Sequence, residues 1–281
     1  MKRWKGLLLA CLLCAAACGG ANSANQNMAM RSALLPLDTK PEYELTPLVE
    51  EKRYTAEDGT LLAECRYELP RLSVGNEEEL SEDTAQQARQ TVERFNERMD
   101  RRLRDAEAFG QELRDMAEDA HEAGFFTLAY TVELSASAAR QGRLCSIRLE
   151  DYSYSGGAHP NSYTDSYLFD LELGQFIDPA QVADDPVAFQ QGAAELLLEK
   201  AREQDADVQA GFYPEYAETI THWYEGTVLF DGEGMTVVYS PYELGPYALG
   251  TVELRADYRE LAELLGPGGL ERLGLTAAER E

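Results

Sequence analysis

Over residues 77–120 the apolar residues Ala85, Ala88, Val92, Phe95, Met99, Leu103, Ala106, Phe109, Leu113, Met116 and Ala120 recur every three or four positions, with charged residues between them. That spacing gathers them on one stripe of a long amphipathic helix, with an interruption expected near Gly110. A stripe of methionine and aromatic residues at this period reads as core rather than as a cofactor site. A helix so long needs a broad apolar surface to cover it, and the flanking sequence supplies one, because the period changes to two on both sides. Residues 43–54 and 61–72 read as strands joined at AEDGT, where Asp58 and Gly59 form a hairpin signal. Downstream, Phe126, Leu128, Tyr130, Val132 and Leu134 share a strand face, residues 143–154 follow as an antiparallel neighbour, and SYTDSYLFDL adds a third strand.

The second half of the chain is punctuated differently. Pro179 and Pro186 precede a helix expected over residues 187–202, and a short one follows over 216–223. Strands are expected at 226–230, 235–239 and 249–255, with a DGEG turn between the first two, before a helix at 258–265. The fold class is therefore α+β: antiparallel sheets with one long amphipathic helix and shorter C-terminal helices. It divides into an N-terminal subdomain (43–140), a C-terminal subdomain (141–266) and a tail (267–281). No internal repeat is present.

The N-terminus reads as an export signal. Lys2, Arg3 and Lys5 are followed by an uncharged apolar run over residues 7–17, well short of the ~20 residues that span a bilayer. Small residues Ala15, Ala16 and Ala17 then precede Cys18, and LCAAACGG resembles the bacterial lipoprotein signal, which implies cleavage after residue 17 and lipidation of Cys18. Two acyl chains would hold the chain on the extracytoplasmic face of the cell membrane. Residues 18–42, rich in small and polar side chains, suit a flexible tether.

Charge narrows the choice of partner. The sequence carries 25 basic and 51 acidic residues, a formal charge of −26. Cleavage after residue 17 removes three basic residues and no acidic one, taking it to −29. Nucleic acid is excluded as a partner by this field, whereas a cationic protein is attracted by it. Cys11 and Cys14 leave with the signal, so Cys65 and Cys145 remain, each on the apolar face of an expected strand. Two states stand open: a disulfide closing a loop of about 80 residues, worth roughly 4–5 kcal/mol in the chain-entropy model, or two buried thiols.

Two motifs carry a resemblance. YSYSGGAHP at residues 152–160 is followed by FDLELGQFI, and YSPYELGPYALG closes the series at 239–250. In this order they resemble the extracytoplasmic domain of RsiV-type anti-sigma factors, shared with PdaC-type peptidoglycan deacetylases and with bacterial lipoproteins carrying a domain of unknown function. The resemblance extends over residues 43–265 and implies an α+β fold. Its RsiV members imply recognition of lysozyme, a cationic enzyme, which suits the acidity of this chain. The sequence shows neither a sigma-binding segment ahead of a membrane-spanning helix nor the histidine and aspartate metal site of the deacetylases. What the resemblance implies is therefore the receptor or accessory part alone.

Read chemically, Gly156 and Gly157 permit a sharp turn that sets His159 at a strand end, with Tyr152 and Tyr154 expected near it. His159 is placed either to tie down loop backbone or to act as a ligand contact or general base, and Tyr242, Pro246 and Tyr247 form either a core edge or a binding surface. His121, His159 and His222 are too scattered in sequence to grip zinc, and no GxSxG elbow occurs, so neither a metal, a cofactor nor a catalytic residue is assigned. Asp231 and Glu233 read as a hairpin turn rather than a calcium loop. The expected function is a membrane-anchored binding or sensor lipoprotein for a cationic envelope or host protein such as lysozyme. The alternatives are a peptidoglycan- or glycan-acting envelope enzyme or accessory subunit, and a structural lipoprotein.

Overall fold

A computed structural model describes residues 39–208 and 211–275. The signal peptide, Cys18, most of the expected tether and the last six residues lie outside the described residues. Strands β1 (Tyr43–Thr55) and β2 (Leu61–Val74) form the expected hairpin, with Gly59 at φ +88° in its turn. The helix α1 (Glu82–Glu122) follows without a break at Gly110. Ser81 starts it by accepting from Thr84 N at 3.2 Å, and Glu82 and Asp83 complement the positive end of its dipole. Gly124, at φ +74°, lets the chain leave the helix, as Phe125 N closes back on Ala120 O at 2.9 Å.

Next come β3 (Tyr130–Gln141), β4 (Leu144–Tyr154), β5 (Asn161–Asp170) and the short β6 (Gln175–Phe176). One six-stranded sheet runs in the order β1–β6. All its pairings are antiparallel except β2 with β3, which run parallel from Ala63↔Tyr130 to Tyr67↔Leu134. The long helix is thus the crossover that a parallel pair requires. The sheet passes straight through residue 140, because β3 and β4 pair from Thr131↔Tyr154 to Gln141↔Leu144. The strand expected from Phe126 begins only at Tyr130; Phe126 instead packs edge-on against His121 at 5.8 Å.

The two faces of this sheet serve two cores. Odd-numbered residues of β4 and β5, among them Ile147 and Phe169, and Cys65, Tyr67, Leu69 and Leu72 of β2 pack toward α1, where Phe95 meets Phe169 edge to face at 5.3 Å. Leu144 and Leu168 on the opposite face enter a second core. That core is built by α2 (Pro186–Val208), α3 (Tyr216–Thr221), the antiparallel sheet β7 (Thr227–Phe230), β8 (Gly234–Tyr239) and β9 (Val252–Asp257), and α4 (Tyr258–Arg272). Trp223 is buried at its centre, its indole donating to Gln190 O at 3.0 Å.

Two expectations about burial need correction. Phe109 and Met116 are exposed, while Gly110 takes a place in the buried stripe with Ala106, Leu113 and Ala117. The helix lies so close to β2 here that only glycine fits opposite Tyr67. At the other end, residues 267–275 are folded rather than a tail. Gln141 Nε2 donates to Leu273 O at 2.8 Å, and Arg143 N donates to Arg272 O at 3.1 Å.

The seam between the sheets uses side chains where strands would ordinarily pair. Ser146 Oγ donates to Phe230 O and accepts from Phe230 N, both at 2.9 Å. Ser166 Oγ accepts from Val228 N at 2.8 Å, and Thr227 Oγ1 donates to Thr164 O at 2.7 Å. These buried and half-buried hydroxyls satisfy facing backbone groups of β7 and β5 that the interior would otherwise leave unpaired.

Candidate functional site

The loop joining β4 to β5 carries the first motif. Gly156 (φ +81°) and Gly157 (φ +140°) turn the chain back, and the Tyr154 hydroxyl fixes the turn by donating to Gly157 O at 3.0 Å. His159 follows on an exposed ledge. Its Nδ1 lies 2.9 Å from the Pro160 carbonyl, which can only accept, so Nδ1 donates there and in the neutral ring Nε2 is an acceptor. The Tyr242 hydroxyl meets that acceptor at 3.3 Å, although the two residues are 83 positions apart.

The second motif reaches this point through a tight turn after β8. Glu243 N donates to Ser240 O at 3.1 Å, and the Glu243 carboxylate accepts from Ser240 N in return. Tyr242, between them, has φ +77°, the one positive value at a non-glycine among the described residues. A β-carbon in this region is strained by about 1–2 kcal/mol. Pro246 then opens a 3₁₀ turn, Tyr247–Leu249, that lays the Tyr247 ring on His159, with centroids 3.8 Å apart and planes 17° from parallel. Tyr242 and Tyr247 are themselves 5.7 Å apart.

His159, Tyr242 and Tyr247 therefore form one exposed aromatic cluster from both motifs, with Tyr242 55% accessible. Sequence reasoning marked every member but set Tyr152 and Tyr154 beside the histidine. Those residues instead flank the loop: Tyr152 faces solvent and Tyr154 closes the turn. The cluster is equipped to grip a partner by stacking and hydroxyl hydrogen bonds.

The remaining candidates stand apart from it. His121 meets Asp58 at 3.2 Å, and His222 Nδ1 meets Glu218 O at 3.0 Å. Among the described residues no group of three or more histidine, cysteine, aspartate or glutamate side chains is arranged to hold a metal ion. Asp231 accepts from Glu233 N at 2.8 Å and from Gly234 N at 3.2 Å, while Arg255 bridges Asp231 and Glu233. Those carboxylates thus serve a hairpin turn.

Cys65 and Cys145 are both free and buried, as in the second of the two expected states. Cys65 pairs with Val132, which pairs with Ser153; Cys145 lies eight residues further along β4, roughly 26 Å at ~3.3 Å per residue. Burial pushes the Cys145 thiol up to about 11 and the Cys65 thiol upward as well.

Sequence reasoning missed a concavity of about 310 Å³ between α1 and the start of β5, where Arg102 pairs with Asp151 beneath Phe109 and Tyr163. Its lining comes from segments far apart in the chain, and the one signal, Phe109, reads in the sequence as a member of the helical stripe. Tyr163 loses acidity through burial and through the nearby carboxylates of Asp165, Glu243 and Asp151. Asp165 is itself held above the ordinary carboxylate range by burial, despite Arg102 and Arg98 nearby. No described helix is long and apolar enough to cross a membrane.

Comparison with curated proteins gave no match. Residues 57–162, from the β1–β2 turn through the GGAHP loop, match the family model described as Deacetylase PdaC. A DUF3298 family member from Bacteroides fragilis NCTC 9343 superposes with a TM-score of 0.58 at 12% identity, over 84% of this chain and 98% of that one. A DUF3298 family protein from Pseudomonas aeruginosa PAO1 gives 0.46 at 18% identity, over 83% and 98%. Residues 57–162 are thus similar to the PdaC family model, and the α+β fold is shared with the Bacteroides fragilis DUF3298 protein.

Proposed function

We propose that this chain is an extracytoplasmic binding or sensor lipoprotein, tethered to the membrane through Cys18, whose partner is a cationic envelope or host protein of the lysozyme kind. The observation that carries this reading is the meeting of His159, Tyr242 and Tyr247 in one exposed cluster on a strongly acidic chain. Tyr242 is held there against its backbone preference, and strain of that sort persists where surrounding structure enforces it, often at binding sites. Aromatic anchors supply contact area and the negative field supplies attraction, the combination that brings a basic protein to a defined surface.

Calorimetric titration with lysozyme, at physiological and at high salt, tests the proposal. One-to-one binding that survives salt, and that weakens when Tyr247 is replaced by alanine, supports it; no binding, or binding abolished by salt, removes the lysozyme reading. Loss of radiolabelled palmitate on Cys18→Ser tests the tether.

A second reading, an accessory subunit acting on peptidoglycan or another glycan, is favoured by Tyr152 and Tyr163 standing exposed beside Asp105 and Asp151. Retention of the chain on purified peptidoglycan sacculi, competed by N-acetylglucosamine oligomers, would select it.

A further inference from the structure

The concavity between α1 and β5 has walls of an unusual kind. Phe109, Tyr152 and Tyr163 come from three separate elements and are 43%, 36% and 53% accessible, yet all line the same hollow of about 310 Å³. Scattered exposed apolar residues need no explanation, whereas aromatic rings converging on one hollow make a contiguous contact surface. Charge tells what that surface fits. Arg102 is committed to Asp151 in an ion pair, and Asp105 adds a carboxylate on the exposed side of the helix. Two carboxylates, Asp105 and Asp151, line the hollow against the one guanidinium of Arg102, and Asp165 and Glu243 stand near Tyr163, so the mouth carries a net negative charge. A neutral sugar ring would gain from the aromatic walls but nothing from that potential; a cation gains from both.

We infer that this hollow is an anchor pocket for a lysine or arginine side chain of the partner, its alkyl stem along Phe109 and Tyr152 and its charged head between Tyr163 and Asp105. The pocket begins at Asn161, two residues beyond His159, so a protein docked on the aromatic cluster reaches it without leaving the surface. The inference rests on the proposed cationic partner and gives it a specific point of attachment.

The test uses the full chain and two kinds of probe. Nα-acetyl-lysine methylamide and Nα-acetyl-arginine methylamide should shift the ring NMR signals of Phe109, Tyr152 and Tyr163, with the uncharged norleucine analogue and N-acetylglucosamine at least tenfold weaker. Asp105→Asn and Phe109→Ala, both at exposed positions, should each abolish most of that shift and weaken lysozyme binding about tenfold. Equal or stronger response to norleucine or N-acetylglucosamine overturns the cation pocket. So does lysozyme binding that falls on Tyr247→Ala but is indifferent to both pocket variants, which leaves the proposed function standing. The reverse pattern, lysine analogue seated but lysozyme unbound, overturns the lysozyme reading and keeps the pocket.

Discussion

Replacing Gly110 by alanine measures how closely the long helix is pressed on the sheet. In a solvent-exposed helix interior the change would stabilise by about 1 kcal/mol, since glycine is the poorer helix former. Here a β-carbon at position 110 falls on the Tyr67 hydroxyl, well inside van der Waals contact, and lies 3.0 Å from Cys65 Sγ. Neither neighbour has room to withdraw, Tyr67 being 1% and Cys65 3% accessible. Overpacking of this kind costs about 1–3 kcal/mol, so the net expectation is a loss of up to about 2 kcal/mol. The clash is separable from the packing. Tyr67 Oη has no oxygen or nitrogen partner, only the weak Cys65 thiol beside it, so Tyr67→Phe should be nearly neutral. Without the hydroxyl the nearest ring atom is Cζ at 3.5 Å, an ordinary contact, so only the 3.0 Å approach to Cys65 Sγ remains and alanine at 110 should cost much less than in the parent. Urea unfolding of the parent, both single variants and the double variant should give a coupling of about 1–3 kcal/mol. A gain in stability for Gly110→Ala alone, or coupling below about 0.5 kcal/mol, would refute close approach as the reason for glycine.

Other measurements reach the seam, the thiols and the site. Ser146→Ala strips Phe230 of both its side-chain hydrogen bonds in a buried seam and should lower stability by about 1–3 kcal/mol; unchanged urea midpoints would show that the seam is held otherwise. Because burial raises the Asp165 carboxyl above its unfolded value of about 3.9, its contribution to stability is greatest below that pH and is lost as pH rises through the folded value. Asp165→Asn should therefore gain on the parent between pH 4 and pH 7, and a flat or falling difference would contradict the assigned shift. Cys65 and Cys145 should resist iodoacetamide at pH 8 until urea unfolds the chain, and reductant should leave the midpoint unchanged. Tyr242→Gly should relieve the left-handed strain and raise stability by about 1 kcal/mol while weakening lysozyme binding; a rise in both would deny the ring a part in recognition.

Periodicity carried most of the fold because each element is half-buried, so its faces are written in its spacing. Tyr67, Ile147 and Phe169 alternate toward α1 as a period of two requires. Direction is not written there: β2 and β3 run parallel, and nothing in either strand distinguishes that from an antiparallel pair. Phe109 misled for a related reason. It neighbours Gly110 on the helix, and a stripe of 3.6-residue period cannot say which of the two meets the sheet when the deciding factor is the Tyr67 hydroxyl opposite. Phe126 and Leu128 alternate like a strand, but the helix ends only at Glu122 and the chain needs Gly124 and the following residues to turn toward β3. The motifs at 152–160 and 239–250 were legible singly, whereas their meeting depends on tertiary contacts between residues 83 apart.

Those contacts follow from the seam. β5 leaves the GGAHP loop, and its third and fourth residues, Tyr163 and Thr164, already diverge in purpose: the first lines the hollow against α1, the second faces the other sheet. Thr164 N donates to Ser240 Oγ at 2.9 Å, and Ser240 N in turn donates to the Glu243 carboxylate that closes the Tyr242 turn. The turn bearing Tyr242 is thereby fastened to the same strand that follows His159, so the aromatic cluster inherits its geometry from buried hydroxyls rather than from the loops themselves. Loops held this way lose little further freedom when a partner docks, which favours tight binding for a given contact area. The strain at Tyr242 fits the same scheme, since the Ser240 and Glu243 bonds oppose relaxation of the backbone between them. On the proposed function, Ser240→Ala should therefore weaken lysozyme binding in calorimetry without removing any side chain of the aromatic cluster, and unchanged affinity would deny the fastening that part.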